Sequence, residues 1–473
     1  MSYGFVIASF QTNESESIDR LSYLANHCGD TQANDRWHIM IRRPLTALGC
    51  TVAALGLLIT GCAGSDSGGP AAAKKSGEVT FWSFVKGSDK VAEAFNRTHP
   101  DIKVTFESVP SGQEYYSKLT NAVKAGTVPD VAVVEYPQLP EFATQGKLEK
   151  LDDSLGPLVK EHFPESVRRL VELGGRTWGV PRDAAPLMLF YRNDFFKAND
   201  IAVPKTWDEY RDMTVKVRTA DPKARGGVLY TDNPGLLTAL SWQAGAQWFS
   251  TDKDAWKVSL ADAPSRKVAD YWGDLARQDL VQSLSTLDPF WTSVQQNRTV
   301  AYVCASWCAG AQQATVADQA GKWSVAPVPT WDGKPASAMY GGSSFVVPKG
   351  AKNSGAAAEF IKWITTDPEG MKAWVSSGKS SMLPADPRLV PVTRAAYPTD
   401  YFGGQDVYAV SSGSYDAVLP GWTWGPVMGT TNTAIVDQLS KVADGSVSLT
   451  DVLTGAQQAT VKDIEHRGMK LAP

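Results

Sequence analysis

Tryptophan is the residue type whose number and placement in this sequence first indicate a binding chemistry. The chain has 16 tryptophans, and several lie where strands are predicted to end rather than inside amphipathic helices. An indole has a flat apolar face and one N–H donor, so it can stack on the C–H face of a pyranose while carboxylates and amides bind the hydroxyls. Together these residue types suit a carbohydrate site. For each tryptophan the alternative is packing in the core.

Trp422 and Trp424 form the clearest pair, because they lie in a segment flanked by glycines. Their i, i+2 spacing places both side chains on the same side of an extended chain. Trp242 is a further candidate, and so is Trp82, which lies at the end of a predicted strand and is followed by Ser83 and Phe84 in a loop that we expect to meet the ligand. We predict that these residues contact a ligand.

Glu135 and Tyr136 directly follow the all-apolar run Val131-Ala132-Val133-Val134. Such a run is typical of a central strand that is covered on both faces. In open α/β sheets ligands bind outside the carboxyl ends of the strands. The sequence therefore predicts that Glu135 and Tyr136 lie at a ligand site.

The segments before this strand alternate between strand and helix patterns. Strand patterns cover 78–82 and 102–106, and helix patterns cover 89–98 and a segment that opens at a capping box, Ser111–Glu114, and ends at Ala125. This β-α-β-α-β order predicts an α/β lobe with a largely parallel sheet.

The N-terminal region has the pattern of an export signal. Met40-Ile41-Arg42-Arg43-Pro44 precedes an apolar run, 45–59, that is shorter than the ~20 residues of a membrane-spanning helix. Ile59-Thr60-Gly61-Cys62 is similar to a bacterial lipobox, which predicts a signal peptide over 40–61 and lipidation of Cys62. A buried cysteine after a core helix is the alternative.

Two segments flank this signal. Residues 62–77 are rich in Gly, Ser and Ala, which is typical of a flexible tether. Residues 1–39 contain five acidic side chains and would put negative charge ahead of the basic start of the signal. We interpret them as a mis-assigned start, with translation beginning at Met40.

The composition argues against a nucleic-acid-binding protein. The formal net charge is −4, and no block of basic residues occurs that could neutralise a phosphate backbone. A chain of 473 residues exceeds what one core usually supports, so we expect two lobes. His99, His162 and His466 are scattered, so we predict no metal site, and no pattern indicates a cofactor.

Cys304 and Cys308 are the only cysteines C-terminal to the proposed lipidation site. In an exported protein such a pair more often forms a disulfide than two free thiols, which remain the alternative. A bridge over so short a loop would act locally and hold the turn that contains Trp307.

Several segments, in chain order, share the pattern of one protein family. They are Trp82 on the first strand, the helix end Ala125-Gly126, Pro129-Asp130-Val131, 146–152, 179–181, 189–196, 204–209, 356–364 and Asp367-Pro368-Glu369. Together they resemble the sugar-type (family 1) extracellular solute-binding proteins of bacterial ABC importers, in which 179–181 is similar to "G-x-P", 189–196 to "L-x-Y-N-x-D-x-F" and 204–209 to "P-x-T-W-D-E". Arg192 stands where that family usually has asparagine. The matching segments extend from Val79 to about Gly468.

The resemblance implies an α/β fold of the periplasmic-binding-protein type (type II), with two lobes, a central cleft and a three-segment hinge. It places the crossings between lobes at Val180–Ala184, Val325–Pro329 and Ser376–Pro384. Lobe 1 would then contain 78–180 and 328–376, and lobe 2 would contain 184–325 and 384–473. Trp207 lies in a predicted capping box, so we expect it to pack inside lobe 2.

The resemblance also implies further site residues. Trp307 corresponds to the family's "G-x-W" at a strand-to-helix turn that faces the ligand. Asp183 follows the first crossing, and a hinge hydrogen bond or a pair with Arg182 is its alternative role. Gly342 and Ser343 lie near the cleft and could offer backbone amides.

The function implied by the resemblance is that of a receptor and not an enzyme. A sugar or oligosaccharide bound to one lobe lets the other close over it, and the transmembrane permease subunits of the transporter recognise the closed form. We expect a monomer outside the cytoplasm, anchored to the cell membrane through Cys62. Two alternatives stay open: an exported carbohydrate-active enzyme, because two carboxylates ~5–10 Å apart leave no local signature, and the same fold with a non-sugar ligand such as a glycerophosphodiester or a polyamine.

Overall fold

The computed structural model describes residues 76–286, 288–376 and 380–472. The doubtful segment 1–39, the predicted signal peptide 40–61, the predicted lipidation site Cys62 and the tether up to residue 75 lie outside the described residues. Within the described ranges, every helix is too short or too polar to span a membrane.

The described chain alternates between short strands and helices. In chain order the strands are β1 (Gly77–Ser83), β2 (Ile102–Ser108), β3 (Val131–Glu135), β4 (Glu172–Leu173), β5 (Arg176–Thr177), β6 (Val180–Pro181), β7 (Asp183–Ala184), β8 (Leu187–Arg192), β9 (Val228–Tyr230), β10 (Phe249–Asp252), β11 (Ala255–Val258), β12 (Gln282–Leu284), β13 (Ala301–Ala305), β14 (Trp323–Pro327), β15 (Ser343–Val346), β16 (Leu383–Pro384) and β17 (Lys470–Leu471). The α-helices are α1 (Ser88–Thr98), α2 (Gln113–Ala125), α3 (Leu139–Thr144), α4 (Gly156–His162), α5 (Glu165–Arg168), α6 (Asn193–Ala198), α7 (Trp207–Ala220), α8 (Gly235–Gln243), α9 (Ala263–Arg277), α10 (Asp288–Gln295), α11 (Cys308–Thr315), α12 (Ser354–Thr366), α13 (Pro368–Val375), α14 (Val390–Ala396), α15 (Val407–Asp416), α16 (Met428–Ala443) and α17 (Leu449–His466).

The first lobe is built around a five-stranded sheet in the order β2-β1-β3-β15-β6. β1 runs parallel to β2 and β3, whereas β15 runs antiparallel to β3 and β6. Four residues of β3 are fully buried, as its all-apolar sequence predicts. The rings of Phe81 in β1 and Phe360 in α12 are in contact, with their centroids 5.3 Å apart. The predicted buried face of α12 therefore covers the sheet.

Capping differs between two predicted helix starts. α2 begins at Gln113 after Gly112 without a side-chain cap, so the predicted capping box at Ser111–Glu114 does not form. At α7 the Thr206 hydroxyl accepts a hydrogen bond from the Glu209 amide at 3.2 Å. Trp207 at the start of α7 is 1% exposed, which confirms that it packs in the core.

The second lobe is built around an antiparallel sheet in the order β13-β8-β14. Two smaller sheets lie in this lobe: β9 pairs with β12, and β11 pairs with β10 on one side and with β17 on the other. The long helices α9, α16 and α17 pack against one another beside these sheets. α17 opens at Ser448, whose hydroxyl accepts from the Asp451 amide at 3.0 Å.

Three chain segments run side by side between the lobes. β7 pairs with β16 on one side, through Asp183 with Pro384 and Ala184 with Leu383. On its other side, the Tyr340 amide donates to the Ala185 carbonyl at 2.8 Å. The Arg182 amide donates to the Ser343 carbonyl at 2.9 Å, so we call 182–187, 338–343 and 381–385 the hinge segments.

The second hinge segment lies further along the chain than the sequence indicated. Val325–Pro327 continues β14 in the second-lobe sheet, and Ser337 pairs with Val418, also in that lobe. The chain rejoins the large sheet only at Ser343, opposite Glu135. We therefore place the second crossing at 339–343 and residues 328–338 with the second lobe, because strand pairing rather than local composition decides where the chain changes lobe.

Candidate functional site

A cleft of about 710 Å³ lies between the two sheets and above the hinge segments. This volume is within the ~300–1,000 Å³ that is usual for small-molecule sites. The first lobe contributes Phe84, Gly112, Gln113, Glu135, Pro137 and Gln138. The hinge contributes Arg182, Asp183 and residues 339–343. The second lobe contributes residues 232–235, Thr238, Trp307, Trp424, Gly429, Asn432, Thr433, Val436 and Asp437.

Glu135 presents a carboxylate at the carboxyl end of the central strand β3. The Tyr116 hydroxyl donates to Glu135 Oε2 at 2.8 Å. Burial of the carboxyl group raises the pKa of Glu135, the Tyr116 hydrogen bond opposes that rise, and the charge of Asp183 adds to it. The position is the one that the strand order predicts for a ligand-facing group.

Tyr136, the neighbour of Glu135, lies behind the cleft and not in it. Its side chain is fully buried, and its hydroxyl donates to the Asp183 backbone carbonyl at 2.8 Å. The ring occupies the space where a Gly342 side chain would be, since a Cβ there would lie 2.7 Å from Tyr136 Cε2. Gly342 also has a φ of +93°, which favours glycine. Tyr136 therefore shapes the cleft floor indirectly.

Asp183 lines the cleft but its carboxylate is already engaged. One oxygen accepts from the amide and the hydroxyl of Ser343 at 2.8 and 3.0 Å, and the other accepts from Arg182 at 2.9 Å. The Arg182 guanidinium lies 4.7 Å from the centre of the Trp374 ring. Asp183 thus joins the first two hinge segments, as the hinge alternative for this residue anticipates, and Ser343 takes part in the same joint.

Trp307 is the most accessible aromatic surface of the cleft. Among the described large apolar side chains, only Trp307 and Val215 are exposed, and Trp307 is 41% exposed. Its indole Nε1 donates to the Tyr340 carbonyl at 3.1 Å, which fixes the ring against the second hinge segment. Cys304 and Cys308 form a disulfide on either side of it.

The predicted tryptophans of the second lobe divide between cleft and core. Trp242 and Trp422 are each 2% exposed and stack on each other at 5.1 Å. Trp424 is nearly perpendicular to Trp422, 5.3 Å away, and lines the cleft. Its buried indole N–H has no hydrogen-bond partner within the described structure. Trp424, which is 6% exposed, is therefore the member of the group that reaches the cleft wall, and the other two pack behind it.

Trp82 and Ser83 do not line the cleft. Lys118 Nζ lies 4.3 Å from the centre of the Trp82 ring, and the buried Ser83 hydroxyl accepts from the Val85 amide and from Ser88. The next residue, Phe84, lines the cleft in their place. The reason is that β1 continues through Ser83, so the turn into the cleft starts later than the sequence suggests.

Sequence reasoning missed most of the polar lining. Asp232 accepts from the Thr286 amide and hydroxyl at 2.8 and 3.0 Å, and Asn233 caps the Gly235 amide at 2.8 Å. These contacts fix the start of α8 at the cleft. The position of Asp232 and Asn233 after the short strand β9 was an available signal, whereas Asn432 and Asp437 lie on α16 and look like any polar residues on a helix surface.

The described residues form no group of three or more His, Cys, Asp or Glu side chains that could hold a metal ion. The side chains that line the cleft can form hydrogen bonds and stack on a ligand. Aromatic faces come from Phe84, Trp307, Tyr340 and Trp424, and hydrogen-bonding groups come from carboxylates and amides on both lobes. An arrangement of this kind suits a polar, ring-shaped solute.

Comparison with known proteins gives one family. Residues 82–371 match the model of the family described as bacterial extracellular solute-binding protein. The arabinooligosaccharide-binding protein of Bacillus subtilis (strain 168) is 27% identical over 336 residues, which is 67% of this chain and 75% of that protein. The lactose-binding protein of Rhizobium radiobacter is 25% identical over 358 residues, 70% of this chain and 81% of that protein. A maltooligosaccharide ABC transporter solute-binding lipoprotein of Streptococcus pneumoniae (strain ATCC BAA-255 / R6) is 24% identical over 333 residues, 67% and 76% of the two chains.

Two solved structures have the same fold. A binding protein associated with an ABC transporter of B. animalis subsp. lactis Bl-04, in complex with beta-1,6-galactobiose, superposes with a TM-score of 0.74 at 24% identity, over 84% of this chain and 99% of that one. The galacto-N-biose-/lacto-N-biose I-binding protein of Bifidobacterium longum, in complex with lacto-N-biose, gives 0.74 at 25% identity, over 84% and 100%. The two-lobed α/β fold is therefore as predicted.

Proposed function

The chain belongs to the bacterial extracellular solute-binding proteins, and from this premise we propose that it binds a sugar or oligosaccharide in the cleft and delivers it to the permease of an ABC importer. Closure of the lobes over the ligand adds contacts that exist only in the closed form, so ligand shifts the population towards that form. The permease would recognise the closed form.

One observation carries the proposal: an exposed indole and a carboxylate belong to opposite walls of the same cleft. Trp307 belongs to the second lobe and Glu135 to the first, and both line the 710 Å³ space. A pyranose needs an apolar platform for its C–H face and acceptors for its hydroxyls at the same time. The named ligands of the relatives and of the two solved structures, which are sugars, support the same class.

The location of the protein follows from its N-terminal sequence. We propose that Cys62 receives a lipid and that residues 62–77 tether the binding lobes outside the cytoplasm, close to the permease. A relative that is itself named as a lipoprotein supports this. We propose that the protein delivers its ligand as a monomer, because residues of one chain line the whole cleft.

The contacts of Asp183 and Arg182 weigh against the two alternatives. A glycosidase needs two carboxyl groups beside the scissile bond, and two of the four in the cleft lining are already engaged: both oxygens of Asp183 are held by Ser343 and Arg182, and both oxygens of Asp232 accept from Thr286. A phosphate-bearing ligand needs a free cation, but Arg182, the one basic side chain in the described cleft lining, is paired with Asp183 at 2.9 Å. A neutral, hydroxyl-rich ligand avoids both difficulties.

A thermal-shift screen tests the class of ligand. Purified residues 76–473 are heated with mono-, di- and trisaccharides, with spermidine and with glycerophosphocholine, because a ligand bound to the folded form raises the melting temperature. We expect a rise with at least one saccharide and none with the other two. A rise with spermidine or glycerophosphocholine alone would refute the proposal. Chromatography of each binding oligosaccharide after overnight incubation separates receptor from enzyme, since hydrolysis products would indicate an enzyme.

A further inference from the structure

The turn between Cys304 and Cys308 is connected to every part of the hinge. Cys304 is near the end of β13, Cys308 begins α11, and the disulfide closes the loop of three residues between them, including Trp307. We call residues 304–308 the Trp307 turn. Its two cysteines are buried, whereas the Trp307 ring faces the cleft.

Each hinge segment makes a hydrogen bond with this turn. The Ser306 hydroxyl donates to the carbonyl of Ala184 in the first segment at 3.3 Å. The Trp307 indole donates to the carbonyl of Tyr340 in the second segment at 3.1 Å. The hydroxyl of Ser381 in the third segment donates to the Ser306 carbonyl at 2.9 Å. All three hinge segments are therefore bonded to the Trp307 turn, whose ring faces the cleft.

Ser381 holds the turn from both sides of Trp307. Besides its bond to the Ser306 carbonyl, its oxygen accepts from the Gly310 amide at 2.7 Å. The side chain is 5% exposed and lies outside the cleft lining. The Ser381 hydroxyl is thus hydrogen-bonded to the carbonyl before Trp307 and to an amide after it. Because the site is buried, water cannot freely take the place of this hydroxyl if it is removed.

We propose that Ser381 is a positioning residue for ligand binding. It holds the Trp307 turn, and through this turn it fixes the Trp307 ring relative to all three hinge segments. A ligand stacked on this ring therefore also sets the angle between the lobes. The part about ligand rests on the proposed function, because it requires Trp307 to contact the bound sugar. The position of the ring itself does not depend on any ligand.

The position of the ring is tested first without ligand. In protein labelled with ¹⁵N-tryptophan each indole N–H gives one NMR signal, and Trp307→Phe identifies the Trp307 signal by its absence. We expect Ser381→Ala to shift or broaden this signal. Ser411→Ala is the matched control: Ser411 is 2% exposed in α15 and its hydroxyl donates to the Tyr408 carbonyl at 3.3 Å, away from the turn. An unchanged Trp307 signal in Ser381→Ala overturns the proposal.

The coupling to ligand is tested by a double-mutant cycle, with the saccharide that gives the largest thermal shift. Ser381→Ala should weaken binding roughly three- to tenfold, as expected for the loss of hydrogen bonds to a buried turn. In the Trp307→Ala background the same change should have almost no effect, because Ser381 acts through Trp307. An equal loss in both backgrounds would mean that Ser381 has only a general structural role. If no saccharide binds the wild type, the proposed function fails, whereas a perturbed indole signal still supports the role of Ser381 in holding Trp307.

Discussion

Replacement of Trp307 by alanine is the change that tests the cleft most directly. Its side chain is 41% exposed, and a tryptophan has about 150–250 Å² of surface to bury, so roughly 60–100 Å² is free for a ligand to cover. At ~25 cal/mol per Å² this corresponds to about 1.5–2.5 kcal/mol, or a factor of roughly 10 to 70 in the dissociation constant. We therefore expect Trp307→Ala to weaken saccharide binding at least tenfold.

Isothermal titration with the saccharide selected by the screen measures this loss. Trp178→Ala is a matched control, because Trp178 is half-buried, its indole also donates to a backbone carbonyl, that of Leu173 at 3.0 Å, and it lies outside the cleft. We expect its affinity to equal that of the wild type. The melting temperature of ligand-free Trp307→Ala should fall less than that of an alanine variant of a fully buried tryptophan such as Trp207, since Trp307 is 41% exposed and Trp207 is 1% exposed. An affinity within twofold of the wild type would remove Trp307 from the site and refute the stacking argument.

Three further changes have defined outcomes. Gly342→Ala would place a Cβ 2.7 Å from the Tyr136 ring, whereas Gly245→Ala, at a position whose φ is also +93°, would meet nothing within 4 Å. The free energy of unfolding measured in urea should therefore fall by roughly 1–3 kcal/mol more for Gly342→Ala than for Gly245→Ala. Because burial raises the pKa of Glu135 above 4.5, the folded state binds the proton more tightly than the unfolded state. The wild type should therefore gain stability relative to Glu135→Gln as the pH falls from 7 towards 4.5, and parallel curves would contradict this. Cys62→Ser should move the full-length protein from the membrane fraction to the supernatant in a bacterial host, and continued membrane association would disprove lipidation at this cysteine.

The architecture was accessible from sequence because its main signals are local. The run Val131–Val134 has no polar alternation, so it had to be covered on both faces, and β3 is indeed central. The second crossing was misplaced because β14 continues through Pro327, and its pairing with β8 depends on residues more than a hundred positions away. Periodicity identifies a strand, but it does not identify the strand's partner.

The site was less accessible, because a shift of one or two residues decides whether a side chain meets solvent. Trp82, Ser83 and Phe84 were all expected at the cleft, but of these three only Phe84 lines it, since β1 continues through Ser83. Cleft residues such as Asp437 lie on a helix whose polar face resembles any exposed surface. Only the packing of α16 against the second lobe shows which side of that helix faces the cleft.

The tryptophans show why composition alone could not define the binding surface. Trp242 and Trp422 have the residue type that suits a sugar platform, yet both are buried in a stack that supports Trp424. A large aromatic ring gains stability from burial wherever it can be covered. An indole therefore indicates binding only where the fold keeps its face uncovered. Within the described structure Trp307 meets that condition, because its hydrogen bond to Tyr340 holds the ring at the cleft and not in the core.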